Sequence, residues 1–310
     1  MSTESQTDFA QIAESARIGL QNLTSLVAEF SQPKGDMFFA EIDYAVRMIQ
    51  RIEIILRRMS SVSNHARELR IKLWDYLPTD DSNTVSEFVS QLYTELSDTT
   101  FVLEMDFESL YRNGTVLLDQ LAAISGRIAG LQKRCTYSRM IEKFFSTNEF
   151  STAIQPLWSA HRKELLAHYG GFKLFRDKFL DHHEIAFTAG VAASVRGYDF
   201  RLCRFSYPAM TAVEQEKIQQ DILPITSKCS QSLRDRISPE SGVSLFRILL
   251  ENLDEFNLDE IRHIEKMASK YGLESPSFEK VGTDILKLTT NTSAILCSIA
   301  KNNLDRIRLN

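Results

Sequence analysis

LWSAHRKELLAHYGGFKLFRDKFLDHHEIAFTA, Leu157 to Ala189, holds four of the six histidines of the chain: His161, His168, His182 and His183. Ile154, Leu157, Trp158, Leu165, Leu166 and Tyr169 recur at three- and four-residue steps, the spacing of one helical face, up to Gly170-Gly171. Paired glycines supply either a helix cap or a sharp kink. A second helix is expected from Phe172, where Phe172, Phe175, Phe179 and Ala186 fall within roughly 60° of one another at about 100° per residue. Arg176 and His183 flank one edge of that apolar stripe and His182 the other. Asp177 and Asp181 point away from it.

The rest of the chain agrees with a helical reading. Only 12 glycines and 7 prolines occur in 310 residues, too few breaks for an all-β fold, and 43% hydrophobic residues allow a large core. A net charge of -5 argues against a wide basic surface that would coat duplex nucleic acid, and leaves room for a small local site. Four scattered cysteines form no C-x-x-C pair, so no zinc site or disulfide framework is expected. The polar, acidic N-terminus lacks the features of a signal peptide, and no run of about 18 apolar residues occurs. A soluble, cytoplasmic protein without a membrane segment is expected. Nucleotide-loop, zinc-protease and serine-hydrolase motifs are missing, and adjacent His182, His183 and Glu184 make a poor ligand set; no cofactor or metal is expected.

In chain order, Phe9, Ile12, Ala16, Leu20, Leu23, Val27 and Phe30 describe a first amphipathic helix, ended by Gln32-Pro-Lys-Gly-Asp36. A longer helix is expected over about Met37 to Leu77, with Arg47, Arg51, Arg57 and Arg58 as a solvated basic face beside its core stripe. After the polar loop at Pro78 to Asn83, one helix is expected over Thr84 to Ser97 and one or two over Phe101 to Ile128, with a bend at Asn113-Gly114. A short helix comes next at Thr136 to Phe145. Ser146-Thr-Asn-Glu149 offers the N-cap of another. Beyond Ser238-Pro-Glu-Ser-Gly242, three or four short helices are expected, one opened by a capping box of Asn257 and Glu260. This divides the chain into an N-terminal helical region (1–98), a central bundle (99–238) and a C-terminal helical module (239–310).

The segment Arg176-Asp-Lys-Phe-Leu-Asp-His182, with His183 next, resembles the Arg, polar residue, four to six intervening positions, His motif of HEPN-domain proteins. Four Arg and His pairs at such separations occur in the chain: Arg58 with His65, Arg162 with His168, and Arg176 with His182 and with His183. Only Arg176 is followed by a small polar residue, Asp177, where the family more often has Asn. The likeness covers roughly Thr99 to Ser238 and extends to the order of elements, with a long helix resembling Leu103 to Ile128 and a closing one resembling Ala212 to Ile237. It implies a central HEPN-like four-helix core with added N- and C-terminal helices. The function it implies is a metal-independent ribonuclease or RNA-binding effector of a defence or toxin–antitoxin system, acting as a homodimer with RNA in the shared cleft.

Histidine near neutral pH and a fixed guanidinium suit attack of an RNA 2′-hydroxyl on its neighbouring phosphodiester. Arg176, Asp177, His182 and His183 are therefore the candidate catalytic residues. Arg196, Arg201 and Arg204, interleaved with Tyr198, Phe200, Phe205 and Tyr207, are candidate substrate-binding residues. That same run equally suits an irregular loop or short hairpin pinned on the core, and histidines at a stripe edge equally suit packing. For His161, Arg162 and His168 the packing reading is preferred. The competing class is a non-catalytic helical interaction protein that binds a protein partner through its terminal regions.

Overall fold

The computed structural model describes residues 3–28, 36–76, 87–131, 133–146, 152–173, 188–194, 197–203, 212–238, 243–271 and 277–302. Its frame is four helices: α1 (Thr3–Ala28), α2 (Asp36–Tyr76), α3 (Glu87–Ile128) and, at the other end of the chain, α10 (Phe278–Asn302). At 1.5 Å per residue the 41 residues of α2 and the 42 of α3 each span about 60 Å. They run antiparallel, because Arg58 meets Asp106 and, seven residues on, His65 meets Glu95. The α1 helix lies against α2 and α10, and α10 also touches α3.

The apolar periodicity explains this frame. Leu20, Leu23, Ile42, Met48, Ile52, Leu56 and Met59 are all buried, so the stripes read from α1 and α2 face the core. One continuous buried cluster runs from Phe9 through Phe107, Leu165, Leu233 and Phe246 to Ala300. The division drawn at residue 98 falls inside α3. The last helix is 25 residues long and packs on the first.

The two or three helices expected over Thr84 to Ile128 are one from Glu87 onward, and α3 runs uninterrupted through Asn113-Gly114. Asn113 donates its amide to the Ser109 carbonyl at 2.7 Å and stays within the helix. A Cβ at Gly114 would collide with Phe172 Cε1 and approach Ile285 Cδ1 at 3.0 Å. The glycine admits two neighbours; it does not bend the chain.

The middle of the chain folds around that frame. The α4 helix (Tyr137–Phe144) is N-capped by Thr136, with Asp119 accepting from the Tyr137 amide at 2.8 Å. The α5 helix (Gln155–His168) has Pro156 in its first turn, where a missing N–H costs nothing; most of the N-cap expected at Ser146 to Glu149 lies outside the described residues. It passes directly into a π-helical turn, Tyr169–Lys173. A hairpin of β1 (Thr188–Ser194) and β2 (Gly197–Cys203) is the exception to the all-α expectation, and β2 lies against α2. The closing helix expected over Ala212 to Ile237 is two, α6 (Ala212–Thr226) and α7 (Gln231–Ile237). Ser230 accepts from the Leu233 amide as the N-cap of α7 while its own amide and hydroxyl donate to Glu255, which pins the break. After α8 (Val243–Glu251) and a 3₁₀ turn (Leu253–Glu255), Asn257 accepts from the amides of Asp259 and Glu260 while Glu260 accepts from Asn257. This is the expected capping box, at the head of α9 (Leu258–Tyr271).

Candidate functional site

The α5 helix and its π-helical turn lead into the motif segment, and they are tied down on every side. Tyr137 on α4 donates its hydroxyl to the Leu165 carbonyl at 2.6 Å, and burial pushes its own pKa upward. Phe172 packs its ring 4.9 Å from Tyr111 of α3. A Cβ at Gly170 would stand 2.5 Å from Leu253 Cδ1 and 2.9 Å from Leu250 Cδ2, so the turn seats closely against α8 and the 3₁₀ corner, and a larger residue would have to displace those leucine methyls.

The histidines and the arginine of α5 are absorbed by packing. His168 is buried with its ring 5.4 Å from Phe172. Burial pushes its pKa down to about 4, opposed by Asp284 of α10 and aided by Lys280, so it is neutral at physiological pH. His161 has non-helical backbone angles (φ -133°, ψ 24°), kinking α5, and its Nδ1 lies 3.9 Å from Glu164. Arg162 sits over Trp158 at 5.3 Å and Phe145 at 5.9 Å, while Phe144 stacks on Trp158 at 4.4 Å.

Of the residues singled out from the sequence, Arg176, Asp177, His182, His183, Arg196 and Arg204 lie outside the described residues. Arg201 is on β2, opposite Gly190 in the hairpin register. How these residues sit relative to one another lies outside the described residues.

Two polar arrangements have no counterpart in the sequence reading. Asp106, 1% exposed, accepts from Arg58 Nε at 2.6 Å and from Arg58 Nη2, and Glu53 likewise holds both Arg17 of α1 and Arg57. These carboxylates sit on the helix faces that meet, and the partner arginines reach in from the surface. The other arrangement joins α5, α7 and the corner after α8. Lys163 Nζ and Arg236 Nη1 each donate to Asn252 Oδ1 at 3.4 Å. No periodicity or motif marks either grouping, because each assembles residues from separate helices.

An open cleft of about 250 Å³ lies among α6, α7 and α8, walled by Ile222, Leu223, Ile237 and Leu245. The arginine at its edge, Arg234, is already engaged with the Ser227 carbonyl and Gln231. Among the described residues no group of three or more His, Cys, Asp or Glu side chains is placed to hold a metal ion, and no helix is long and apolar enough to cross a membrane. Comparison with protein-family models, with curated proteins and with solved structures finds no match.

Proposed function

We propose that the chain is a HEPN-like, metal-independent endoribonuclease or RNA-binding effector of a defence or toxin–antitoxin system, working as a homodimer. Arg176 binds the phosphate on which negative charge accumulates. His182 or His183 removes the 2′-hydroxyl proton, and a second imidazole returns a proton to the departing 5′-oxygen, giving a 2′,3′-cyclic phosphate and a free 5′-hydroxyl. Asp177 orients the arginine. Arg196, Arg201 and Arg204 hold the strand on either side.

The observation that supports this reading is that the other Arg and His pairs of the chain have structural roles. Arg58 is committed to Asp106 and His65 to Glu95, while Arg162 is stacked on aromatic rings and His168 is buried and neutral. The pairs formed by Arg176 follow in sequence a π-helical turn seated on the core.

The test is incubation of purified protein with single-stranded RNA in EDTA, repeated with Arg176→Ala and with His182→Ala plus His183→Ala. Cleavage by the parent and its loss in both variants is the expected result; cleavage that persists in the variants overturns the assignment. The second reading, a non-catalytic helical scaffold that binds a protein partner, is favoured by the exposed apolar residues Phe101, Val102 and Met105 on the outer side of α3. Absence of cleavage in every sample would select it.

A further inference from the structure

Lys163 and Arg236 are brought together by the packing of α5 and α7 on one corner, and what they share is a neutral acceptor. The close seat of Gly170 on Leu250 and Leu253 presses α5 onto the corner that carries Asn252, and α7 reaches the same corner through α8. Asn252 is 5% exposed, and its amide nitrogen donates to the Ile248 carbonyl at 2.7 Å. That bond fixes which end of the amide is which, so Oδ1 is the atom turned toward the two cations. Both cationic groups stand 3.4 Å from that one oxygen, within twice that distance of each other.

Among the described residues, no carboxylate forms an ion pair with Lys163 or Arg236. Asp254, two residues from Asn252, keeps a buried carboxylate oxygen without a hydrogen-bond partner and does not reach either of them. A pair of like charges converging on an amide oxygen repels itself, and an anion seated between them removes that repulsion while accepting hydrogen bonds from both.

We infer that Lys163 and Arg236, registered by the buried Asn252, form a phosphate subsite that holds the phosphodiester backbone of single-stranded RNA. This rests on the RNA-directed function proposed for the motif segment. The subsite lies on the helix that leads into that segment, and it provides affinity without contributing to bond cleavage.

The experiment measures fluorescence anisotropy of a labelled, 2′-O-methylated single-stranded RNA of about 20 nucleotides, which cannot be cleaved by its own 2′-oxygen, across a salt series. It compares the parent, Lys163→Met plus Arg236→Met, and Lys163→Arg, with circular dichroism as the control for folding. The double variant is expected to bind at least about tenfold more weakly, and its log–log salt slope to fall by about 1.4, the value for two lost phosphate contacts on a single strand. Lys163→Arg keeps the charge and is expected to keep the slope. Parent-like binding by the double variant overturns the subsite and leaves the ribonuclease reading standing. Failure of the parent to bind any RNA overturns both. A melting temperature raised by inorganic phosphate in the parent but not in the double variant, without RNA binding, overturns the assignment to RNA and identifies a site for free phosphate.

Discussion

Arg58 on Asp106 and the Lys163/Arg236 pair on Asn252 use the same kinds of cation and end in opposite situations. Asp106 is nearly sealed from water, and its charge is tolerable only because a guanidinium grips both oxygens; Arg58, with 57% of its side chain exposed, gives that grip from the surface. At the other corner the buried partner is an uncharged amide and the excess charge belongs to the cations. The first arrangement is internally complete and holds α2 to α3. The second has no carboxylate among the described residues to close it, and the proposed subsite rests on that opening. Identity of the acceptor, carboxylate or carboxamide, separates a structural tie from a site.

The comparison can be broken by removing the cation on each side. Arg58→Met leaves the Asp106 carboxylate buried without its partner. Urea unfolding is expected to show a loss of about 2 to 3 kcal/mol, at or below the usual range for a broken buried pair because water reaches the exposed Arg58 position. An unchanged unfolding midpoint would mean that Asp106 is solvated by other means and that the pair is not a tie.

His168 sharpens the contrast from a third direction, as a buried group that is stable only when neutral. Its folded-state pKa of about 4 lies below the ordinary 6.5 because burial disfavours the imidazolium. The unfolded chain therefore takes up a proton first. The contribution of neutral His168 is fully present above pH 6.5 and is lost as pH falls toward 4, about 3 kcal/mol in all and about 2 kcal/mol by pH 5. Unfolding free energies measured from pH 7 to pH 5 are expected to fall by that amount in the parent and to be flatter in His168→Gln. Equal slopes in the two proteins would place the proton uptake elsewhere.

The smallest effect is expected at the open corner. Lys163→Met plus Arg236→Met removes two surface cations from a neutral acceptor, and the unfolding free energy is expected to stay within about 0.5 kcal/mol of the parent. The same double variant is the one expected to lose RNA affinity. A large stability loss would turn the subsite into a second structural tie.

Much of the helical frame was legible in the residues. The stripe of α2 from Ile42 to Met59, the capping box at Asn257 and Glu260 and the short helix after Thr136 are local patterns, and local patterns are what a sequence displays. The continuity of α3 was not, because Asn113-Gly114 carries the same letters whether it bends a helix or admits Phe172 and Ile285. The split between α6 and α7 was equally hidden, since Glu255, which holds Ser230 in place, lies 25 residues further on. The candidate residues Arg176, His182 and His183 were legible as a motif, and they lie outside the described residues.

The sequence by itself determined that this chain is built of amphipathic helices, because the spacing of apolar side chains at three- and four-residue steps sets which face each helix must bury. Only the tertiary structure decided that the last helix lies on the first, that Asp106 is sealed under Arg58, and that Lys163, Arg236 and Asn252 meet. Each of these depends on how closely two helices approach, and that distance is set by the glycine or side chain that the neighbouring helix presents at the point of contact.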